Sequence, residues 1–580
     1  MPKRFKSSTY PIYIGNYLGP FNRCIDAYES MSSNGYDFAL VDLQHAFSGR
    51  FDDFLDIRNL SSSVFNSSIV GVVNLPSGIT ADVDSCACEC VRVQLRWAVH
   101  AGMYGVILRL NQFEPLILSR VIEQFCSENP SDQSMTRLWI ECEVGDWPSW
   151  DRIRTLCNHP SNVNVCLVYD AAEFACDSFI ISRWLGEPVS VLRFLHSTTI
   201  DGSPALLRFF RRNAQPIVPD MNSKNAILSL LSAAPELKWE ETYLGSYHDT
   251  LQIPLQPLAD NMDNVVYETF ETDRTKYDLY EEAIYRALLD LTRQYPETSK
   301  FKLAVVGAGR GGLIDASFRA ISRIGSSTVE FEIHGIEKNP NAARTLQFRV
   351  ADDPSWNATP RVTVSILEAD MRHLPSDSGF VDILISELLG SLGDNEASPE
   401  CIDGVMHWLD PVRGICIPNN YYSTIEPVSC AKVWSAVRDA KKLETPLVVN
   451  FHTSFHPSSP LTLFAFSADS GPTRSMSETL TWSPQEADYL LHGFAGYFHA
   501  DLYGGVTMST NPPTRTEGMV SWFPAFLPLR NPTLVHAGKS VSVHVYRETS
   551  MHRMFIQWSL IEPTASMIHN GSGCEHFVGL

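Results

Sequence analysis

Eight apolar, β-branched runs recur at a regular beat through about the first 220 residues, and this beat narrows the fold more than any other feature. The runs begin near Tyr10 (YPIYIG), Tyr36 (YDFALVDL), Ser68 (SIVGVVNL), Met103 (MYGVILRL), Arg137 (RLWIECEV), Val163 (VNVCLVYD), Val189 (VSVLRFL) and Gln215 (QPIVPD). Helix-compatible segments such as VRVQLRWAVHAG and PLILSRVIEQF lie between them. Strands alternating with helices imply parallel pairing through right-handed crossovers, and eight such units suggest a closed (β/α)8 barrel. The runs are nearly continuous in apolar residues, as parallel strands covered on both faces must be. The strand tips offer Asp42, Asn74, Glu143 and Asp170 without a phosphate loop or a metal cluster. The barrel therefore reads as a binding scaffold, with these residues solvated or capping helices.

The pattern breaks from about Glu236 to Asp263, where Pro254 and Pro257 in LQIPLQPLADN mark a linker. Next, Tyr277, Tyr280, Ile284, Leu288 and Leu291 fall at helical spacing, so Lys276 opens or precedes a helix. Taken alone, Tyr267, Phe270 and Tyr277 read as packing.

FKLAVVGAGRGGLIDASFRAI then reads as a strand, a glycine loop and a helix. Gly307, Gly309 and Gly312 match G-x-G-x-x-G, whose glycines permit a tight turn and close backbone approach to a ligand. A second apolar run, VEFEIHGIEKN, ends in Glu337, suited to accept hydrogen bonds from ribose hydroxyls. A third, VTVSILEADM, ends in Asp370, placed to reach an adenine amino group. The fourth, Val381 to Ile385, leads into SELLGSLGDNEASPECIDG. There Glu387 and Glu396 flank Gly390 and Gly393 on a hairpin-like loop, and Pro399 starts the next element. Two carboxylates facing across a slot suit a planar cation with several N–H donors, and guanidinium is the best match. Four strand tips carrying Gly, Glu, Asp and Glu serve either a dinucleotide or S-adenosylmethionine. The glutamate pair has a task in methylating a cation and none in hydride transfer, although an NAD-dependent oxidoreductase and a non-catalytic scaffold remain as competing readings.

After Pro418 the segments LVVNFHTSF, LTLFAFSA, YLLHGFAGYFHADLYGGVTMS, VSWFPAFLPL, SVSVHVYRE and MFIQWSLIE alternate, suggesting an all-β sandwich or barrel. Trp522 and His569 stand out there. The expected regions are thus a barrel at 1–235, a linker at 236–265, a Rossmann-like domain at 266–418 and a β-barrel with a dimerisation segment at 419–580.

The chain of 580 residues carries a net charge of −21, which disfavours nonspecific nucleic-acid binding and fits cationic partners. MPKRFKSSTY leads into no apolar signal core, and no run of about 18 apolar residues suggests a membrane span. Thirteen scattered cysteines fit reduced thiols in the cytosol or nucleus. Cys86, Cys88 and Cys90 lack a second Cys or His pair at finger spacing, so they read as thiols at a helix start, not as a metal site.

SELLGSLGDNEASPECIDG resembles the double-glutamate loop of protein arginine methyltransferases. Together with PLQPLADNM, VVGAGRGG, GIEKNPNA and HGFAGYF it resembles the symmetric-dimethylating (type II) branch of that family. The likeness runs from Pro254 to Leu580, and more loosely over the N-terminal part, where ISRWLGEP is the best anchor. It implies a triosephosphate-isomerase-type barrel, a Rossmann-like methyltransferase domain and a C-terminal β-barrel. It also implies S-adenosylmethionine as methyl donor, no metal, and S-adenosylhomocysteine as product. By the same resemblance, Gly307 and Gly309 line the cofactor site, Glu337 holds the ribose, and Asp370 with Met371 holds the adenine. Tyr267, Lys276 and Tyr277 close over the cofactor, the last two near its carboxylate. Glu387 and Glu396 bind the guanidinium, Phe270 is associated with symmetric product, and Trp522 lines the arginine channel. The implied substrates are histones and Gly-Arg-rich splicing proteins, acted on in cytoplasm and nucleus by a homodimer or larger homo-oligomer with a WD-repeat propeller partner. Two departures stand out. The family's loop commonly reads GAGRGP where this chain has Gly312, a position that is not a ligand. The N-terminal barrel is shortened and divergent, which bears on the propeller and on the substrate-adaptor groove.

Overall fold

The computed structural model describes residues 13–17, 30–43, 68–74, 85–130, 136–175, 178–197, 204–325, 328–375, 379–468 and 475–580. The N-terminal decapeptide lies outside them. Eight parallel strands close into a barrel: Gly15–Tyr17, Phe38–Asp42, Ile69–Val73, Gly105–Arg109, Arg137–Cys142, Val163–Tyr169, Val189–Phe194 and Gln215–Val218. Closure is made by the first and last strands, with Gly15 opposite Ile217. Alternate residues such as Leu40, Val72, Ile107, Trp139 and Val191 fill the interior as a separate buried cluster, so the barrel is a packed core. The residues at its strand tips are structurally engaged. Asn74 donates to Asp42 at 2.7 Å, Glu143 and Asp146 form a capping box, and Asp170 caps a short helix. Cys88 and Cys90 sit half-buried on the helix Ser85–His100, and no group of three metal-ligating side chains occurs among the described residues. No described helix is long and apolar enough to cross a membrane.

The segment read as a linker is instead woven into the fold. It carries the helix Trp239–Leu244 and a short strand, Leu251–Gln252, which pairs antiparallel with Val448 and Val449 of the C-terminal domain. Its prolines interrupt regular structure only after that strand.

The central domain is a five-stranded parallel sheet. Its spatial order is Val362–Glu368, Glu330–Glu337, Lys300–Val306, Ile383–Ser386 and Ile415–Ile417. Chain order therefore reverses beside Lys300–Val306, and in such sheets the crevice at the carboxyl ends of the strands at this reversal is where ligands bind. The third strand stops at Glu368, two residues short of Asp370, which caps a 3₁₀ turn instead.

The last third is mostly β. Two antiparallel sheets, of seven and four strands, share one apolar core that includes Phe464, Phe494, Val543 and Trp558. One helix, Ala431–Asp439, interrupts what read as continuous β structure. Its apolar Val433, Trp434 and Val437 are buried, and its Arg438 donates to the His159 carbonyl of the barrel at 2.7 Å. The ISRWLGEP anchor has a physical reason to be distinctive, because it forms the same junction. Arg183 donates to the Asp488 carbonyl, and a Cβ at Gly186 would lie 2.7 Å from the Ser429 carbonyl oxygen. His569 is structural: it stacks on Trp558 and its Nε2 accepts from the Arg530 backbone N–H.

Candidate active site

Strand register sets the site. Val306 pairs with Ile336 on one side and with Ser386 on the other. Glu337, Gly307 and Glu387 therefore leave the sheet side by side. All twelve residues expected at the cofactor and arginine sites line one cavity of about 520 Å³: Tyr267, Phe270, Lys276, Tyr277, Gly307, Gly309, Glu337, Asp370, Met371, Glu387, Glu396 and Trp522.

At one end is the glycine turn. Gly307 has φ +69°, and a Cβ there would lie 2.9 Å from the Leu388 side chain. Gly309, at φ +53°, is covered by the Tyr267 ring, 3.2 Å from where a Cβ would stand. Only glycine keeps both the conformation and the space. Glu337 accepts the Gly309 N–H at 2.7 Å through Oε2 and the Asn339 N–H at 2.7 Å through Oε1. Each oxygen keeps a further lone pair for a ligand hydroxyl. Burial pushes this carboxyl above its usual range, although the backbone donors oppose the shift. Asn339 also donates to the Tyr267 hydroxyl at 3.2 Å. This cradle, with a buried acid at the second strand tip, fits an adenosine-bearing ligand such as S-adenosylmethionine. Asp370 reaches the cavity wall with its carboxylate held by Arg372, whose Nη2 donates at 2.7 Å.

At the other end is the glutamate loop. Glu387 follows the fourth strand directly, and Gly390 and Gly393 bridge to each other as a tight hairpin, the N–H of Gly393 donating at 2.7 Å. Ala397 sits at φ +62° before the helix Ser398–Val405, turning the chain so that Glu396 faces the cavity. Glu387 accepts from the Lys276 ammonium at 3.1 Å. Glu396 has no hydrogen-bonding partner among the described residues. Protein encloses it, and the surface it keeps opens into the cavity. Burial first, and the Glu387 charge second, push its carboxyl up to about 8, with Lys276 pulling it back. An acid raised by a like charge and an enclosed setting is in want of a cation.

Several side chains that hold the site carry no local sequence signal. Asp273, fully buried, caps the helix Arg274–Gln294 by accepting the Lys276 N–H, and it also accepts the Val520 and Ser521 N–H groups at 2.8 Å each. One carboxylate thus fixes Lys276 and the strap bearing Trp522 together. Trp522 in turn donates its indole N–H to the Leu389 carbonyl at 2.7 Å. Gly312 has a consequence that its reading as a non-ligand position missed: a Cβ there would lie 2.4 Å from the Tyr277 ring, so the glycine makes room for that tyrosine.

A reversed-order parallel sheet carrying a nucleoside cradle and a pair of glutamates at the far end of the same cavity, walled by the β domain, defines an S-adenosylmethionine-dependent arginine methyltransferase. Three family descriptions match the chain in order: the PRMT5 TIM barrel domain at residues 59–202, the PRMT5 arginine-N-methyltransferase at 238–417 and the PRMT5 oligomerisation domain at 420–578. Protein arginine N-methyltransferase 5 of rice (Oryza sativa subsp. japonica) is 35% identical over 487 residues, covering 75% of this chain and 73% of the relative. The same-named protein of Xenopus laevis is 33% identical, covering 76% and 72%. Protein arginine N-methyltransferase skb1 of Schizosaccharomyces pombe is 31% identical, covering 84% of each. The chain belongs to the protein arginine N-methyltransferase 5 family.

Proposed function

We propose that the chain methylates the ω-nitrogens of arginine in protein substrates, through a monomethyl to a symmetric dimethyl product. The observation that carries this reading is the placement of Glu387 and Glu396 on one bridged loop that opens into the same cavity as the glycine cradle. S-adenosylmethionine supplies an activated methyl group on a sulfonium, so no covalent intermediate on the protein is required. The protein's task is positioning. Glu387 and Glu396 accept hydrogen bonds from the guanidinium and localise its charge, leaving one nitrogen lone pair free to attack. A guanidinium is too basic to lose its proton beforehand, so the proton leaves once the new N–C bond has formed. Glu396, whose carboxyl burial and the Glu387 charge push up to about 8, is suited to accept it.

Phe270 is proposed to shape the slot so that the second methyl goes to the other terminal nitrogen. Its ring centroid is 5.3 Å from the Lys276 ammonium, within the acidic end of the cavity. Histone tails and Gly-Arg-rich splicing proteins are the proposed substrates, consistent with a net charge of −21 on the enzyme. A homo-oligomer built through the C-terminal β domain, a WD-repeat propeller partner on the barrel, and action in cytoplasm and nucleus as a chromatin and transcription regulator belong to the same proposal. The test is transfer of labelled methyl to a Gly-Arg-rich peptide, with the product isomer read by mass spectrometry. Symmetric dimethylarginine is expected, and asymmetric product alone overturns the assigned role of Phe270.

A further inference from the structure

Lys276 is an unusual side chain for its position. It is 1% exposed, yet no apolar contact explains an ammonium there. Its Nζ donates to Glu387 at 3.1 Å and lies 5.3, 5.0 and 5.1 Å from the ring centroids of Phe270, Tyr277 and Trp522. One carboxylate and three aromatic faces around a cation are the recognition chemistry of a desolvated organic cation. Glu387, Phe270 and Trp522 are also the walls assigned above to the substrate arginine. An ammonium and a guanidinium compete there for the Glu387 carboxylate, and two like charges in an enclosed site repel strongly.

The lysine is also placed to leave. It stands on the first turn of the helix Arg274–Gln294, next to Tyr277, whose ring covers the start of the glycine-loop helix at Gly312. The other cations on the cavity wall are already engaged: Arg310 with Asn264 and Glu271, Lys338 with the Leu258 carbonyl. Among the described cations of the cavity wall, Lys276 is the one tied to the glutamate end, where an anionic arm extending from a nucleoside in the glycine cradle toward the glutamates would meet it.

We propose that Lys276 couples the two ends of the cavity: its ammonium occupies the cation seat at Glu387 and gives it up to the guanidinium when an anionic group bound beside the glycine turn draws it away. This rests on the arginine methyltransferase reading. It makes the carboxylate of the methyl donor a condition for tight arginine binding, beyond any contact between the two ligands.

Calorimetric titration of the full chain with a Gly-Arg-rich peptide tests this. The titration is run in the presence of saturating S-adenosylhomocysteine, and again in saturating 5′-methylthioadenosine, which shares the adenosine and the thioether but lacks the amino-acid arm. The peptide should bind on the order of tenfold more tightly with S-adenosylhomocysteine, within the usual range of coupling between sites. In Lys276→Met the difference should vanish, and peptide binding with 5′-methylthioadenosine should tighten. Equal peptide affinity in the wild-type chain with both nucleosides overturns the coupling, and that comparison requires no variant to fold. Weaker peptide binding by Lys276→Met with 5′-methylthioadenosine overturns it too. A wild-type chain that neither binds nor methylates the peptide under any condition removes the underlying reading, a separate and recognisable failure.

Discussion

Arg547 donates from Nε to Asp394 at 2.5 Å, and both side chains are wholly buried. One residue belongs to the C-terminal strand Val541–Thr549, and the other lies two positions before Glu396. Arg547 also reaches Glu400 at 2.9 Å on the helix that follows, so a single guanidinium from the β domain brackets the glutamate loop from both sides. Glu396 is therefore aimed by a residue 153 positions away from its own loop.

Arg547→Met should leave the buried Asp394 and the half-buried Glu400 without their shared counter-charge. Breaking a buried pair by removing one partner costs about 3–5 kcal/mol. Denaturant unfolding should show a loss of that size, and Asp394→Asn combined with Arg547→Met should recover part of it. A double variant no more stable than the single one means that the pair is not the bracket described.

The pH dependence of stability should report Glu396. Its folded carboxyl stands at about 8, against a usual 4.5, because of burial and then the Glu387 charge. Between those values the folded chain keeps a proton that the unfolded chain has lost. The contribution to stability is complete below about 4.5 and is lost as pH rises through about 8. Glu396→Gln removes this loss, so its stability relative to wild type should improve from pH 5 to pH 9 by on the order of 2 kcal/mol. A flat difference across that range places Glu396 away from Glu387. For the same reason, peptide binding near pH 7 should release a proton, seen as a binding heat that varies with the ionisation enthalpy of the buffer.

Trp522→Ala removes the indole bond to the Leu389 carbonyl and one wall of the cation seat. Loss of about 1.4 kcal/mol corresponds to a tenfold change, so the peptide KM should rise on the order of tenfold while S-adenosylhomocysteine affinity holds. A loss confined to the nucleoside would move Trp522 to the other end of the cavity.

Gly312→Pro restores a residue that helices accept at their first position. Here it meets the Tyr277 ring, 2.4 Å from the new Cβ. The ring must swing, and S-adenosylhomocysteine should bind on the order of tenfold more weakly, a change that a single unfavourable contact of about 1.4 kcal/mol produces. Unchanged affinity means that the Tyr277 position does not depend on the glycine.

Much of this was legible in the sequence because it follows from strands. Barrel strands covered on both faces show as unbroken apolar runs, and the cavity acids follow strand ends, where an apolar run stops at a charge. Glu337, Glu387 and the glycine turn were visible for that reason. What was not legible depends on distance along the chain. Asp273 meets Val520 across 247 positions, and nothing local to either marks the bond. The strand Leu251–Gln252 is too short to show a period, and its neighbouring prolines argued for a linker. The helix Ala431–Asp439 was hidden among alternating segments because its apolar face is only three residues wide. Asp370 followed an apolar run as Glu337 did, but the strand ended earlier and Arg372 took up its carboxylate.

On the proposed function, two acids on one loop grip a guanidinium beside the methyl donor. The most direct test of this grip is methyl transfer by Glu396→Gln, measured together with S-adenosylhomocysteine binding by the same preparation. Nucleoside affinity should stay within about twofold of wild type while kcat falls by at least about a hundredfold, the scale on which a positioned acid–base group contributes. A variant that binds the nucleoside and still methylates the peptide at the wild-type rate would contradict it.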